Sequence, residues 1–251
     1  MPMRIDIISL FPEMFDGPFG HSMIKRAREA ALLDIAVTNP RIFTEDKHHI
    51  VDDTPFGGGV GMVMKPDPIF RAVRSLVEQH SVVKRLIVLM CPSGRPFTQA
   101  KAKELATYDQ LILICGHYEG IDERVREYLV DECISIGDYV VTGGELPAMV
   151  ITDAVARMLP GVLGAPEGAA QDSFYHGLLE YPQYTRPRDF EGLTVPDILL
   201  SGDHAKIEQW RRKESLRITL TKRPDLLKAA DLLVSDKRLL REIEQEGGDE
   251  A

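Results

Sequence analysis

Residues 134–160 read ISIGDYVVTGGELPAMVITDAVARMLP, and this stretch decides the fold. It opens as a short apolar strand ending near Ile136. It passes through the loop Gly137-Asp138-Tyr139-Val140-Val141-Thr142-Gly143-Gly144 and enters a helix. Glu145 and Pro147 fall in the first turn, where a carboxylate and a proline are both favoured. Leu146, Met149, Val150, Val155 and Leu159 make an imperfect helical stripe, and Pro160-Gly161 stops it. Glycines set after a strand and before a helix let a ligand approach the backbone and leave amide groups free for it. The stretch predicts a binding loop at the carboxyl end of a strand.

The same alternation of strand and helix extends upstream. Residues 4–10 (RIDIISL) predict a first buried strand, and 33–38 a second, ended by Asn39-Pro40. A helix over 22–31 would be capped by Ser22. Residues 85–91 (RLIVLMC), 110–115 (QLILIC) and 132–136 are apolar runs, as expected of parallel strands buried on both faces. Helices are expected over 67–79, over 98–106 with Thr98 as cap, and from Asp122. The pattern predicts an α/β fold with a mostly parallel sheet. Ligands of such sheets sit outside the carboxyl ends of the strands. Three loops hold that position: residues 92–95, 116–120 and 137–144. Residues 44–66 (TEDKHHIVDDTPFGGGVGMVMKP) show no clear period and predict a functional loop. His48, His49, Asp52 and Asp53 within it lack helical i, i+4 spacing and make a weak metal candidate.

After Pro160 the composition shifts. Residues 161–171 (GVLGAPEGAAQ) predict a flexible link, and the remainder is largely helical over 203–219, 224–233 and 236–246. The division expected is 1–160, a linker 161–173, and a small mainly helical domain 174–251. The tail EQEGGDEA is expected to fray. Asp172 has the look of a helix N-cap, and Arg157 of a dipole partner at a helix end.

The chain has 251 residues, 44% of them apolar and 27% charged, the balance of a globular protein. No apolar run approaches the ~18 residues of a membrane span, and MPMRIDIISLF lacks a cleavage-site pattern. Three cysteines without metal spacing (Cys91, Cys115 and Cys133) point to reduced thiols in a cytoplasm. The net charge of −9 argues against a polyanion partner. Its distribution argues the other way: Lys206, Arg211, Arg212, Lys213, Arg217, Lys222 and Arg223 crowd one short segment. Trp210 inside that segment reads as a core anchor.

The usual nucleotide signatures are absent: there is no G-x-x-x-x-G-K-[ST], and Gly57-Gly58-Gly59-Val60-Gly61 does not follow a strand. A different set of motifs is present in order. They are ISLFPEMF, VDDTPFGGGVGMVMK, PSGRPF, CGHYEGIDERV, SIGDYVVTGGELPAM, DAVARMLPG, DSF, GLLEYPQYTRP and, before Trp210, LLSGDH. With them the chain resembles the bacterial tRNA (guanine-N(1)-)-methyltransferases, the TrmD family of the SPOUT class, over nearly its whole length.

The resemblance implies a deep trefoil knot in residues 1–160, against the general rule for chain topology. It implies that the knot loops hold S-adenosylmethionine through Pro92, Gly94, Gly116, Glu119, Ile136, Gly137, Asp138, Tyr139, Val140, Val141, Gly143 and Gly144. The product would be 1-methylguanosine immediately 3′ to the anticodon of tRNA, after a preceding guanosine. Asp172 would be the base that removes the N-1 proton and Arg157 the cation at O-6. Glu180, where the family carries an aspartate, would be a secondary carboxylate. RNA contacts would come from Gly58, Gly59, Arg188, His204, Lys206, Arg211 and Arg212. The chains would pair as homodimers, with Asp172 acting in the partner subunit's site. A magnesium dependence goes with the family, and no ligand spacing for it is visible here. Met90-Cys91, His117, Val60 and Asp203 depart from the family pattern without removing a catalytic group. Rivals are an enzyme of the same class acting on another RNA, and a non-catalytic RNA-binding protein.

Overall fold

The computed structural model describes residues 2–164 and 168–248. The chain divides into two compact units, Met1–Pro166 and Glu167–Ala251. The first unit opens with Met3–Ile8 (β1), a short helix Asp16–Phe19 (α1), Ser22–Glu29 (α2) and Leu33–Thr38 (β2). Then come Asp52–Asp53 (β3), Val63–Met64 (β4), Pro66–Gln79 (α3), Arg85–Pro96 (β5), Gln99–Leu105 (α4) and Gln110–Cys115 (β6). Glu123–Tyr128 (α5), Glu132–Ser135 (β7) and Glu145–Ala156 (α6) complete it.

The main sheet has the order β2-β1-β6-β5-β7, and every neighbour pair in it is parallel. Alternation divides the strands between two cores. Ile5, Ile7, Leu111, Leu113 and Val88 face one cluster with Ala148, Ile151 and Val155 of α6. Ile8, Ile112, Ile114 and Leu89 face the other with Ile69, Val73 and Leu76 of α3. β6 is buried along its whole length, which is why its run shows no polar alternation.

Several local expectations are corrected. The α6 stripe is Ala148, Ile151, Thr152, Val155 and Ala156, while Leu146 and Val150 are exposed. The helix ends at Ala156 rather than at Pro160, because Met158 N and Leu159 N bond three residues back and tighten the turn. Ser22 is the first residue of α2 and not its cap; no side chain caps that helix. Residues 92–95 are not a free loop, since β5 continues to Pro96 past a register shift between Met90 and Arg95. Gly94 permits the shift: a Cβ there would stand 2.5 Å from the backbone of Cys133 and Ile134. The segment 44–66 folds back as an antiparallel hairpin, β3 with β4. Of the expected linker, Ala165, Pro166 and Glu167 lie outside the described residues. Val162 is buried in the first core, and Gly168–Gln171 forms a short 3-10 turn.

The second unit carries the hairpin Asp189–Phe190 (β8) with Leu193–Thr194 (β9). It continues with the helices His204–Lys222 (α7), Pro224–Ala229 (α8) and Val234–Gly248 (α9). Leu178, Leu216, Leu239 and Ile243 form its core, each side chain contributing ~1.5–3 kcal/mol by burial. Helix α8 stops at Ala229, short of the expected Leu233. The expected frayed tail is helical to Gly248, with Glu246 paired to Lys213 at 2.6 Å and Arg217 at 2.7 Å; residues 249–251 lie outside the described ones. Trp210 is half-buried, 6.4 Å from the Tyr184 ring, and does not enter the core cluster.

Candidate active site

The carboxyl ends of β5, β6 and β7 open onto one cavity of about 230 Å³. Two glycines bring its walls together. Gly144 N donates to Gly116 O at 2.8 Å, and a Cβ on Gly144 would stand 2.6 Å from Cys115 Cα. Gly137 has φ +149, a conformation that favours glycine, and its missing Cβ makes room for the Tyr139 ring. Ser135 Oγ accepts from Gly137 N at 3.2 Å and donates to Gly137 O at 3.0 Å, fixing the turn out of β7.

A buried polar pair closes the base of this region. Ser9 Oγ, at the end of β1, donates to Glu145 Oε1 at 2.6 Å, and Glu145 is 2% exposed. Burial, with Glu145 beside it, pushes the Cys115 thiol well above its ordinary pKa. The hairpin β3–β4 supports the middle loop: Glu119 N donates to Met62 O at 3.0 Å, and Met64 N to Gly120 O at 2.9 Å.

Ten of the twelve residues expected around a cofactor line this cavity; Gly94 and Asp138 do not. Gly94 instead packs against β7. The lining also includes residues outside the expected cofactor contacts, among them Cys91, Thr142 and Arg126. Arg126 donates to Ser93 Oγ at 2.8 Å and to Cys91 Sγ at 3.4 Å. It comes from α5, and nothing in its local sequence marks it. The lining suits a nucleoside: Leu89, Met90, Ile134, Ile136, Val140 and Val141 offer apolar faces, and glycines offer backbone polar groups.

Arg157 caps the carboxyl end of α6, its N–H bonded to Asp153 O at 3.1 Å. Asp172 and Glu180 belong to the second unit and line one cavity of about 270 Å³ there. No helix follows Asp172, so it is not a helix N-cap; its carbonyl closes a turn by accepting from Tyr175 N at 3.2 Å. That turn is tied down on both sides. Glu180 N donates to Ser173 Oγ at 3.0 Å, and Phe174 N to Leu178 O at 2.7 Å. Helix α7 in turn holds the 178–181 segment, since Ser215 Oγ donates to Leu179 O and Thr219 Oγ1 accepts from Leu179 N at 3.0 Å. The segment bearing Asp172 is thus built onto α7.

The basic segment is largely neutralised in place. Arg212 forms a bidentate pair with Asp236 at 2.7 and 2.8 Å, and the Asp236 side chain is 1% exposed. Hydrogen bonding from Arg212 holds the Asp236 carboxyl below its usual pKa. Lys206 pairs with Asp203 at 3.1 Å, Arg211 with Glu208 at 2.7 Å and Arg188 with Asp197 at 3.0 Å. His204 is exposed at the first position of α7. Gly58 and Gly59 lie at the hairpin tip with φ +80 and +140, beside Phe56, which is fully exposed.

A family profile described as "tRNA (Guanine-1)-methyltransferase TrmD" matches residues 3–229. The chain belongs to this family. It is 58% identical to the tRNA (guanine-N(1)-)-methyltransferase of Desulforamulus reducens over 96% of its own length and 95% of the relative's. The enzyme of Dictyoglomus turgidum is 59% identical, covering 97% and 98%. That of Bacillus cereus strain G9842 is 57% identical, covering 97% and 100%. Membership in the TrmD family makes the chain a methyltransferase. Among the described residues, no helix is long and apolar enough to cross a membrane.

Proposed function

We propose that the chain transfers a methyl group from S-adenosylmethionine to N-1 of the guanosine immediately 3′ to the anticodon of a tRNA in which a guanosine precedes the target. The observation that carries this reading is the convergence of two glycine-bearing loops and the Cys91-Pro92 segment of β5 on one cavity in a chain of this family. Bound there, the cofactor supplies an electrophilic methyl group on sulfur. Pro92, Gly116, Glu119, Gly143, Gly144 and the 136–141 loop hold it.

Guanine N-1 carries a proton at neutral pH, so its lone pair is unavailable. A base must take that proton, and the resulting charge spreads onto O-6. A carboxylate of pKa ~3.9 is too weak to do so alone. Arg157 offsets the charge at O-6, and Asp172 takes the proton. Glu180, on the same cavity wall as Asp172, is the second carboxylate. The target base leaves its stack to expose N-1.

The first unit threads the trefoil knot of its class, and the helical unit binds tRNA. Two copies pair, so that Asp172 serves the partner subunit's cofactor site. Leu146 and Val150, exposed one helical turn apart on α6, support the pairing. The enzyme works in the cytoplasm.

Methyl transfer from labelled S-adenosylmethionine to an unmodified tRNA transcript tests the reading, with the product digested to nucleosides. 1-Methylguanosine at the position after the anticodon is expected. A methylated ribose, or label only in another RNA, would move the chain to a different activity of its class.

A further inference from the structure

The hairpin β3–β4 carries an aromatic side chain that the fold leaves wholly in solvent. Its stem is rooted in the second core, where Val51 and Met64 are each 1% exposed. Lys65 N donates to Val51 O at 2.7 Å, and Asp52 and Asp53 face Met64 and Val63 across the ladder. The tip is a formed turn. Gly58 N donates to Pro55 O at 3.3 Å, and Gly57 has φ +85, the type II pattern that wants glycine third in the turn. A Cβ on Gly59 would stand 3.6 Å from Pro55 Cγ, so the tip closes on itself. Phe56 holds the second position of this turn and is 100% exposed; Val60, just beyond, is 91% exposed.

The arm is bonded to a wall of the cofactor cavity. Glu119 N donates to Met62 O at 3.0 Å, Met64 N to Gly120 O at 2.9 Å and Asp122 N to Met64 O at 3.0 Å. The Glu119 side chain lies against Gly61, where a Cβ would stand 2.5 Å from its Cγ. Glu119 and Gly120 line the cavity. Phe56 is five residues from Gly61, so the chain holds it within about 18 Å of that contact. Residues 54–62 (TPFGGGVGM) carry no charge, so the tip offers phosphates no partner. With four glycines among them, they present far less than the ~800 Å² that a stable protein interface takes from each side. What remains is one aromatic face on a tip slim enough to enter a narrow gap. A nucleobase is the flat, apolar partner that such a face stacks on. A base leaving its stack opens such a gap, and apolar wedges are what proteins insert between bases.

We infer that Phe56 enters the gap that the target guanine leaves in the RNA stack. It stacks there on the neighbouring base and holds the target extruded toward the cofactor cavity. The inference rests on the proposed function, which requires the target base to leave its stack. Phe56 is a positioning residue: it touches RNA and neither the cofactor nor the reacting atoms.

The test compares full-length parent, Phe56→Tyr and Phe56→Ala, with Val83→Ala as a control at another fully exposed apolar residue. Methyl transfer to the unmodified tRNA transcript, S-adenosylmethionine affinity and oligomeric state are measured for each. Binding is measured for transcripts with guanosine or an abasic site at the target position. Phe56→Ala should lower kcat/KM for tRNA roughly five- to a hundred-and-fifty-fold. Phe56→Tyr, which keeps the ring, and Val83→Ala should stay near the parent, and cofactor affinity should be the same in all four. Phe56→Ala should weaken binding of the guanosine and abasic transcripts alike, since the gap exists in both. A loss confined to the guanosine transcript would mean that Phe56 stacks on the target itself, and would overturn the inference. So would transfer by Phe56→Ala at the parent rate, or a loss accompanied by a change of oligomeric state, which would assign the apex to a contact between copies. Each of these leaves the proposed function standing. A parent that binds the cofactor and methylates no transcript would overturn the proposed function, and this inference with it.

Discussion

At Gly144 the side chain is a single hydrogen because two loops meet there. A Cβ would stand 2.6 Å from Cys115 Cα and 2.9 Å from Gly116 N, both backbone atoms that cannot swing aside. Gly144→Ala is expected to part the loops and weaken S-adenosylmethionine binding at least tenfold by calorimetric titration. Gly17→Ala, where a Cβ meets nothing within 4 Å, should leave it unchanged. Equal affinity in both variants would remove Gly144 from the cofactor site. Such glycines were legible in the sequence because a strand, a glycine and a helix follow one another within a few residues. Arg126 was not, since its approach to Cys91 is made across 35 positions. Neither was the buried pair of Ser9 with Glu145, 136 positions apart.

Among the elements, α7 and α9 show where sequence reading stops. One cap was readable: Thr98 accepts from Lys101 N at 3.2 Å, as expected, whereas Ser22 and Asp172, read the same way, cap no helix, and the Asp203 cap on Lys206 N at 3.2 Å was not singled out. The basic segment of α7 also looked like a bare surface for a polyanion. Arg212, Lys213 and Arg217 are instead met by Asp236, Glu242 and Glu246 of α9, which local pattern does not connect to them, while Lys206 and Arg211 pair locally with Asp203 and Glu208. The Arg212–Asp236 pair has a definite pH signature. Hydrogen bonding from Arg212 depresses the folded-state pKa of Asp236, so its stabilisation is fully present above the unfolded value of ~3.9. It is lost as pH falls through the lower folded value. Asp236→Ala is expected to destabilise the helical unit by about 1.5–3 kcal/mol at pH 7 in urea unfolding followed by circular dichroism. The difference from the parent should shrink as pH falls below about 4. A difference independent of pH would mean that the pair contributes only packing.

Over the whole molecule, a net charge of −9 is reconciled with a tRNA substrate most simply if binding depends on few phosphate contacts. Six of the seven basic residues in 204–223 have an acidic partner within 4 Å. With about three phosphates neutralised, raising salt from 50 to 200 mM should weaken tRNA binding only about twentyfold. A loss of about a thousandfold or more would mean that these ion pairs open to receive RNA. The parallel sheet was legible from runs such as QLILIC, because burial on both faces removes polar alternation. A knot and a pairing of copies would leave no local trace, and only the resemblance implies them. The central claim is that Asp172 removes the N-1 proton while the glycine loops bind the cofactor independently. The most direct measurement compares single-turnover methyl transfer by the parent and by Asp172→Asn, with S-adenosylmethionine affinity measured for both. Transfer slowed roughly 10²- to 10⁴-fold with cofactor affinity unchanged is the predicted result. Transfer at the parent rate would contradict it and leave Glu180 as the remaining carboxylate on that wall.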